Sequence, residues 1–299
     1  MVRKWMQIAG ALLAGVVATL LVSCAPKTEQ AQGDAASLVR NAWMAYRLGE
    51  YQNAIQDFTT VRSMTEKGSD EWAMATYGLG ITWDLRRPGE NPRLATQLYH
   101  EVLNAAADAP IAPWAELALA RQLHLVPVGQ EPDYDAVNAA YQKIVDTYPD
   151  HLAAKEAFLY LESIQLAKLE PVSSKASAER LLNFIRQDPG KAEFVGPAYS
   201  LLSVAYVTLD DQENRLHVEQ EAFEHTETDP TDPSVEFAWA YWNLATIAEF
   251  EVGDFDLARS YYTALIKEYP NDIRVHGSKQ ALKRMDALEA RLLAEEEER

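Results

Sequence analysis

Residues 253–270 read GDFDLARSYYTALIKEYP, and the spacing within them decides the fold. Phe255, Ala258, Tyr262 and Leu265 fall three or four places apart, so a helix carries them on one face. Gly253 stands just ahead, where a tight turn between helices needs a positive φ. Ala258 is small where two paired helices come closest; a larger side chain there would force them apart. Pro270 ends the segment, because it lacks an N–H and clashes with the preceding turn. A first helix, opened by Trp242 and running to Glu251, completes a helix–turn–helix unit.

The spacing recurs upstream. Gly49, Tyr51, Ala54 and Phe58 repeat it after a helix carrying Trp43 and Tyr46. Tyr134, Val137, Tyr141, Ile144 and Pro149 repeat it after a helix near Trp114, Leu117 and Ala118, with the turn stretched over 127–132. Leu79, Gly80 and Trp83, then Ala95, Tyr99 and Val102, form a further unit with an enlarged turn over 86–92. Two units are degenerate: Ala178, Leu182 and Ile185 ahead of Pro189, and Tyr199, Leu202 and Tyr206 followed by Leu216 and Phe223.

This Gly-x-aromatic-x-x-Ala-x-x-x-aromatic pattern resembles the tetratricopeptide (TPR) repeat, a helix–turn–helix unit of about 34 residues. The resemblance implies an all-α TPR α-solenoid of about six helix pairs over residues 36–270. Residues 271–299 read as a C-terminal capping helix with an acidic tail, started by Asn271 or Asp272. Its apolar stripe is Ala281, Leu282, Met285, Leu288 and Leu292. No segment sustains a period of two, so no sheet is expected.

The N-terminus reads as an address. Arg3 and Lys4 precede an apolar run from Ile8 to Val22, which is short for a membrane-spanning helix of about 20 residues. The run ends in Leu21-Val22-Ser23-Cys24, which resembles the lipobox of bacterial lipoproteins. That resemblance implies a signal peptide over 1–23 and lipidation of Cys24, the only cysteine in the chain. Residues 24–35 then form a flexible polar tether. Ala25 stands where an aspartate would retain such a protein at the inner membrane, which implies the outer membrane, facing the periplasm of a Gram-negative host.

Composition excludes several functions. The 299 residues hold 45 acidic and 27 basic side chains, a formal charge of −18, so a phosphate backbone would be repelled and no nucleic acid is expected as a partner. One cysteine cannot build a disulfide framework or a thiolate-rich zinc site. There is no P-loop, dinucleotide fingerprint or HExxH. Gly78 and Gly80 lie within a helical pattern, where close packing explains them better than phosphate binding. His217, Glu221 and His225 share a helical face, but a surface helix places them so by chance and no further metal ligand is evident. The acidic turn 224–233, with Glu227, Asp229 and Asp232, lacks EF-hand spacing. No catalytic residue, metal or cofactor is expected.

Stacked helix pairs present their first helices along a groove that takes partner segments. The register points to Trp43, Tyr46, Arg47, Tyr77, Asp84, Leu123 and Asn243 as groove-facing. Trp43 and Tyr77 balance between groove and packing, whereas Trp83, Tyr99, Tyr141, Trp242 and Tyr262 read as core. Val39, Trp43 and Tyr46 stand where a carboxylate-gripping TPR would carry lysines and asparagines, so that clamp is not expected. Arg40, Arg47, Arg86, Arg87 and Arg93 give the N-terminal half some local positive charge. The address and repeats together resemble BamD-like and periplasmic TPR cell-envelope scaffolds, with Tyr148-Pro149 and Tyr269-Pro270 as shared repeat closures. That implies protein binding rather than catalysis, with other envelope proteins as partners. A pilotin-like lipoprotein for secretin or pilus assembly is the alternative, and a glycan-binding lipoprotein a third.

Overall fold

The computed structural model describes residues 35–84, 89–187, 194–226 and 237–297. The signal peptide, Cys24, most of the tether, Arg86, Arg87, Pro189 and the acidic turn from Glu227 onward lie outside them. Among the described residues every regular element is a helix. The chain divides into two compact units, Met1–Ala115 and Glu116–Arg299.

In the first unit, α1 (Ala35–Arg47) packs on α2 (Tyr51–Met64), and α3 (Asp70–Trp83) on α4 (Pro92–Ala105). Gly49 takes the turn at φ +76. The backbone N–H of Glu50 reaches back to the carbonyl of Ala45 at 2.8 Å, which closes the end of α1. Ala54, Phe58 and Val61 are sealed from solvent, and so are Ala95, Tyr99 and Val102, the same three places in the second pair. The paired glycines of α3 are packing devices. A Cβ at Gly78 would lie 2.4 Å from the Phe58 ring, and one at Gly80 2.5 Å from the Tyr99 ring. The helix thus receives an aromatic ring on each side. The side chains of Arg62 and Glu101 add an ion pair between α2 and α4.

Most of the second unit repeats the plan. α5 (Ala112–His124) pairs with α6 (Tyr134–Thr147), joined by Lys143 Nζ to Glu116 Oε1 at 3.1 Å. Val137 is sealed where other pairs carry alanine. α7 (Leu152–Leu166) pairs with α8 (Pro171–Gln187), and α9 (Val195–Leu209) with α10 (Gln212–His225). α11 (Ala238–Thr246) runs on as a π-helical turn, Ile247–Val252, and packs on α12 (Phe255–Glu268). α13 (Arg274–Glu297) covers this last pair. These are the six pairs and the cap that the repeat spacing implies.

Several details depart from the sequence expectations. α11 starts at Ala238, a full turn before Trp242, because Phe237 is pinned there. Its ring meets Phe223 at 5.2 Å, and its N–H donates to the Tyr269 hydroxyl at 3.2 Å. The π turn adds a residue to the closing hydrogen bond: Asp254 N–H reaches Ala248, six places back, whereas Glu50 reaches Ala45 across five. At the cap, Asp272 rather than Asn271 accepts the Arg274 backbone N–H, at 2.7 Å. Ala281 and Met285 are buried and Leu288 half-buried, but Leu292 and Leu293 face solvent, so the stripe runs out at Leu288. Gly277 lets α13 come close to α11, since a Cβ there would stand 2.8 Å from the Trp242 ring. Arg259 of α12 ties the cap with hydrogen bonds to Asp286 and Glu289 at 3.0 and 2.7 Å.

Candidate partner-binding surfaces

In the first unit the structure joins rings from all four helices, α1 to α4. Trp43 and Tyr46 sit half-buried on α1, one turn apart, with Arg47 exposed beside them. The Trp43 ring meets Phe58 edge-on at 5.2 Å and Tyr46 at 5.7 Å, and it lies 6.2 Å from Tyr77 on α3. Tyr77 continues to Tyr99 at 5.8 Å, and the Tyr99 hydroxyl donates to Asp84 Oδ2 at 2.8 Å. Tyr51 extends the other end, 5.9 Å from Tyr46. The result is a row of rings from Tyr51 to Tyr99 with a carboxylate at its end. Within it Tyr77 is buried, which places it in the packing, while Trp43 and Tyr46 keep part of their rings accessible. Edge-to-face contacts hold such rings in fixed orientations and contribute about 0.5–1.5 kcal/mol per pair.

The remaining candidates lie in the second unit, far apart in sequence. Leu123 is exposed on α5. Asn243 on α11 donates to Glu219 Oε2 at 3.1 Å, and Glu219 Oε1 accepts from Ser203 at 2.6 Å, so one carboxylate joins α9, α10 and α11. The large apolar residues turned to solvent here are Trp239 on α11 and Phe250 on the π turn, 57% and 64% exposed. The repeat register did not find them, because it opened the helix only at Trp242, past Trp239, and assumed a regular α-helix through the π turn that carries Phe250. A π insertion rotates everything before it by about one residue relative to the helix end.

The π turn also buries Glu249. Its Oε1 accepts from Arg284 Nε and Nη2 at 2.8 and 2.6 Å, and its Oε2 accepts from the Tyr262 hydroxyl at 2.9 Å. The Arg284 guanidinium lies 5.0 Å over the Phe250 ring. Burial, and then the Glu249 hydrogen bond, push the Tyr262 pKa well above its ordinary value.

A second polar cluster escaped the sequence reading. His124 Nδ1 lies 3.2 Å from the Tyr141 hydroxyl, and Tyr141 stacks on Tyr160 at 5.1 Å. Tyr160 donates to Glu156 Oε1 at 3.0 Å, which also accepts from Arg121 at 3.3 Å. Burial lowers the His124 pKa and raises that of both tyrosines. No short motif announces this cluster, because its members come from three helices. His217 Nε2 lies 3.3 Å from Glu221 Oε1, while His225 Nδ1 lies 2.8 Å from the Glu221 backbone carbonyl. Among the described residues no three His, Cys, Asp or Glu side chains gather as a metal set. Nor is any described helix long and apolar enough to cross a membrane.

Comparison with known proteins bears on the fold. Residues 238–272, spanning α11, the π turn, α12 and the start of the following turn, match a tetratricopeptide repeat family model. A solved structure of PilF from Pseudomonas aeruginosa superposes with TM-score 0.51 at 12% identity, over 82% of this chain and 96% of that one. A tetratricopeptide repeat protein from Parabacteroides merdae gives TM-score 0.45 at 14% identity, over 86% of both chains. The assembly chaperone of RpL4, Acl4, gives 0.49 at 14% identity, over 87% of this chain and 99% of that one. No curated protein sequence matches.

Proposed function

We propose that this chain is a lipid-anchored, non-catalytic scaffold of the bacterial cell envelope that binds other proteins. The observation that carries the reading is the ring row of the first unit, where Trp43 and Tyr46 stand half-exposed on a rigid bed of Phe58 and Tyr77. Aromatic side chains held in this way lose little entropy on binding and dominate interface energetics. The anchor rests on the Leu21-Val22-Ser23-Cys24 stretch, and the outer-membrane address on Ala25. The paired-helix fold supplies the supporting context, since such stacks serve as extended binding surfaces.

The test is photo-crosslinking in cells from positions 43 and 46, with mass spectrometry of what is captured. An envelope protein captured at both positions, and lost from the probe at position 46 when Trp43→Ala is added while the helical circular dichroism is unchanged, supports the reading. Equal capture by wild type and Trp43→Ala overturns the assignment to this surface. The proposed address has its own test. Cys24→Ser should take the protein out of the outer-membrane fraction, because the acyl chains, at about 0.8 kcal/mol per buried methylene, are then absent.

Outer-membrane protein assembly and a pilotin-like role in pilus assembly are the two finer readings. The fold likeness to PilF along nearly the whole of that chain favours the second. Capture of a secretin supports the pilus reading, and capture of a barrel-assembly protein the other.

A further inference from the structure

The π turn at the end of α11 is held by the cap. In two other pairs the closing bond spans five places, from Glu50 N–H to Ala45 and from Asp211 N–H to Tyr206, but Asp254 N–H reaches six places back, to Ala248. An inserted residue of this kind is rare and is found mostly at functional sites. Here it carries Glu249, the acidic member of a buried run with Ile247 and Ala248. Two partners hold the carboxylate: Arg284 of α13, with both Nε and Nη2 on Oε1, and the Tyr262 hydroxyl of α12 on Oε2. The same guanidinium lies over the ring of Phe250, the next residue of the turn. One side chain of the cap thus grips two consecutive residues of the turn. Arg259 ties α13 down differently, since its partners Asp256, Asp286 and Glu289 lie outside the turn. The Arg284 side chain is 48% exposed, so it can leave Glu249 while Ala281 and Met285 stay packed beneath α13.

We infer that Arg284 and Glu249 form a latch by which the docked cap keeps α11 in its π register, and that releasing the latch converts Ile247–Val252 to regular α-helix. Without the guanidinium, Glu249 keeps one neutral donor and a buried charge with no compensation. The helix relieves that charge by giving up its inserted residue, which lets the carboxylate reach solvent. The Asp254 N–H then closes five places back, on the Glu249 carbonyl, as the first and fifth pairs close. This step turns α11 by about one residue, roughly 100°, relative to Gly253. It also breaks the link from Asn243 to Glu219, and so alters the face that α11 presents beside α10. Cap docking is thereby coupled to that face through two discrete registers rather than a gradual bend. The latch lies wholly in the second unit, so it and the ring-row reading can fail independently.

Crystal structures of the detergent-solubilised full chain and its variants provide the test. In Arg284→Ala the Asp254 N–H should bond to the Glu249 carbonyl in place of Ala248, with the Glu249 carboxylate in solvent and its contact to Tyr262 lost. Arg259→Ala, which loosens the cap without touching the latch, should keep the bond to Ala248. Adding Glu249→Met to Arg284→Ala removes the charge that must be buried and should bring the six-place bond back. If Arg284→Ala does not fold, Arg284→Gln decides, because it keeps the stem and removes the charge. A π turn unchanged in the Arg284 variant, with Glu249 still buried, overturns the inference. So does equal loss of the π turn in Arg259→Ala, which would make it a matter of cap packing and not of the latch.

Discussion

Glu249 shows how one residue couples burial to a local departure from α-helical geometry. Its carboxylate is nearly solvent-free and is satisfied by Arg284 and Tyr262 together. Removing one partner of a buried pair leaves a charge without compensation. Arg284→Ala should therefore cost about 3 kcal/mol, the low end for such pairs because Arg284 is itself half-exposed, and adding Glu249→Gln should recover part of it, as read from urea midpoints. Gly78→Ala brings a methyl group against the Phe58 ring and should cost roughly 1–3 kcal/mol by the same measurement. His124 supplies a pH dependence. Burial lowers its pKa below the ordinary 6.5, so the folded chain takes up the proton less readily than the unfolded one. Its contribution is complete above pH 6.5 and is lost as the pH falls through the lowered folded value. His124→Gln keeps an acceptor for Tyr141, so the melting temperature should fall less between pH 7.5 and 5 than in the wild type.

Turns and registers belong to the scale of the element. Gly49 and Gly253 adopt positive φ with open space around the site of a Cβ, so their need for glycine is conformational. Gly253→Ala should cost about 1 kcal/mol, the left-handed penalty alone. In the fifth pair Asp210 takes that place at φ +54, and Asp211 N–H closes the turn on Tyr206 five places back, as in the first pair. Asp210→Gly should accordingly raise stability by roughly 0.5–1 kcal/mol, seen as a higher denaturation midpoint. The substitution of aspartate for glycine is why this pair looked degenerate. The fourth pair was obscure for another reason. α7 buries Ala153, Ala157, Leu159, Glu162 and Leu166 on more than one face, so no single apolar stripe marks it. Where the sequence kept the small residue and the aromatic four places on, as at Ala54 and Phe58 or Ala258 and Tyr262, both were sealed as the spacing requires.

At the scale of the whole molecule, helix pairs stack locally, and each core is built from residues within a pair and its neighbours. The periodicity alone determined the all-helical class, the pairing, the closing prolines and the aromatic core, since these depend on spacing within some 34 residues. The charge of −18 and the lone cysteine are likewise properties of the sequence that no packing alters. Tertiary structure decided what crosses between helices. It turned Asn243 toward Glu219, brought Trp239 and Phe250 to the surface, assembled His124, Tyr141, Tyr160 and Glu156, and stacked Phe158 on Phe184. The physical reason is geometric. A repeat's spacing specifies which face of a helix is apolar, but an inserted π residue changes where that face points. A polar cluster drawn from three helices exists only once packing has set their separations.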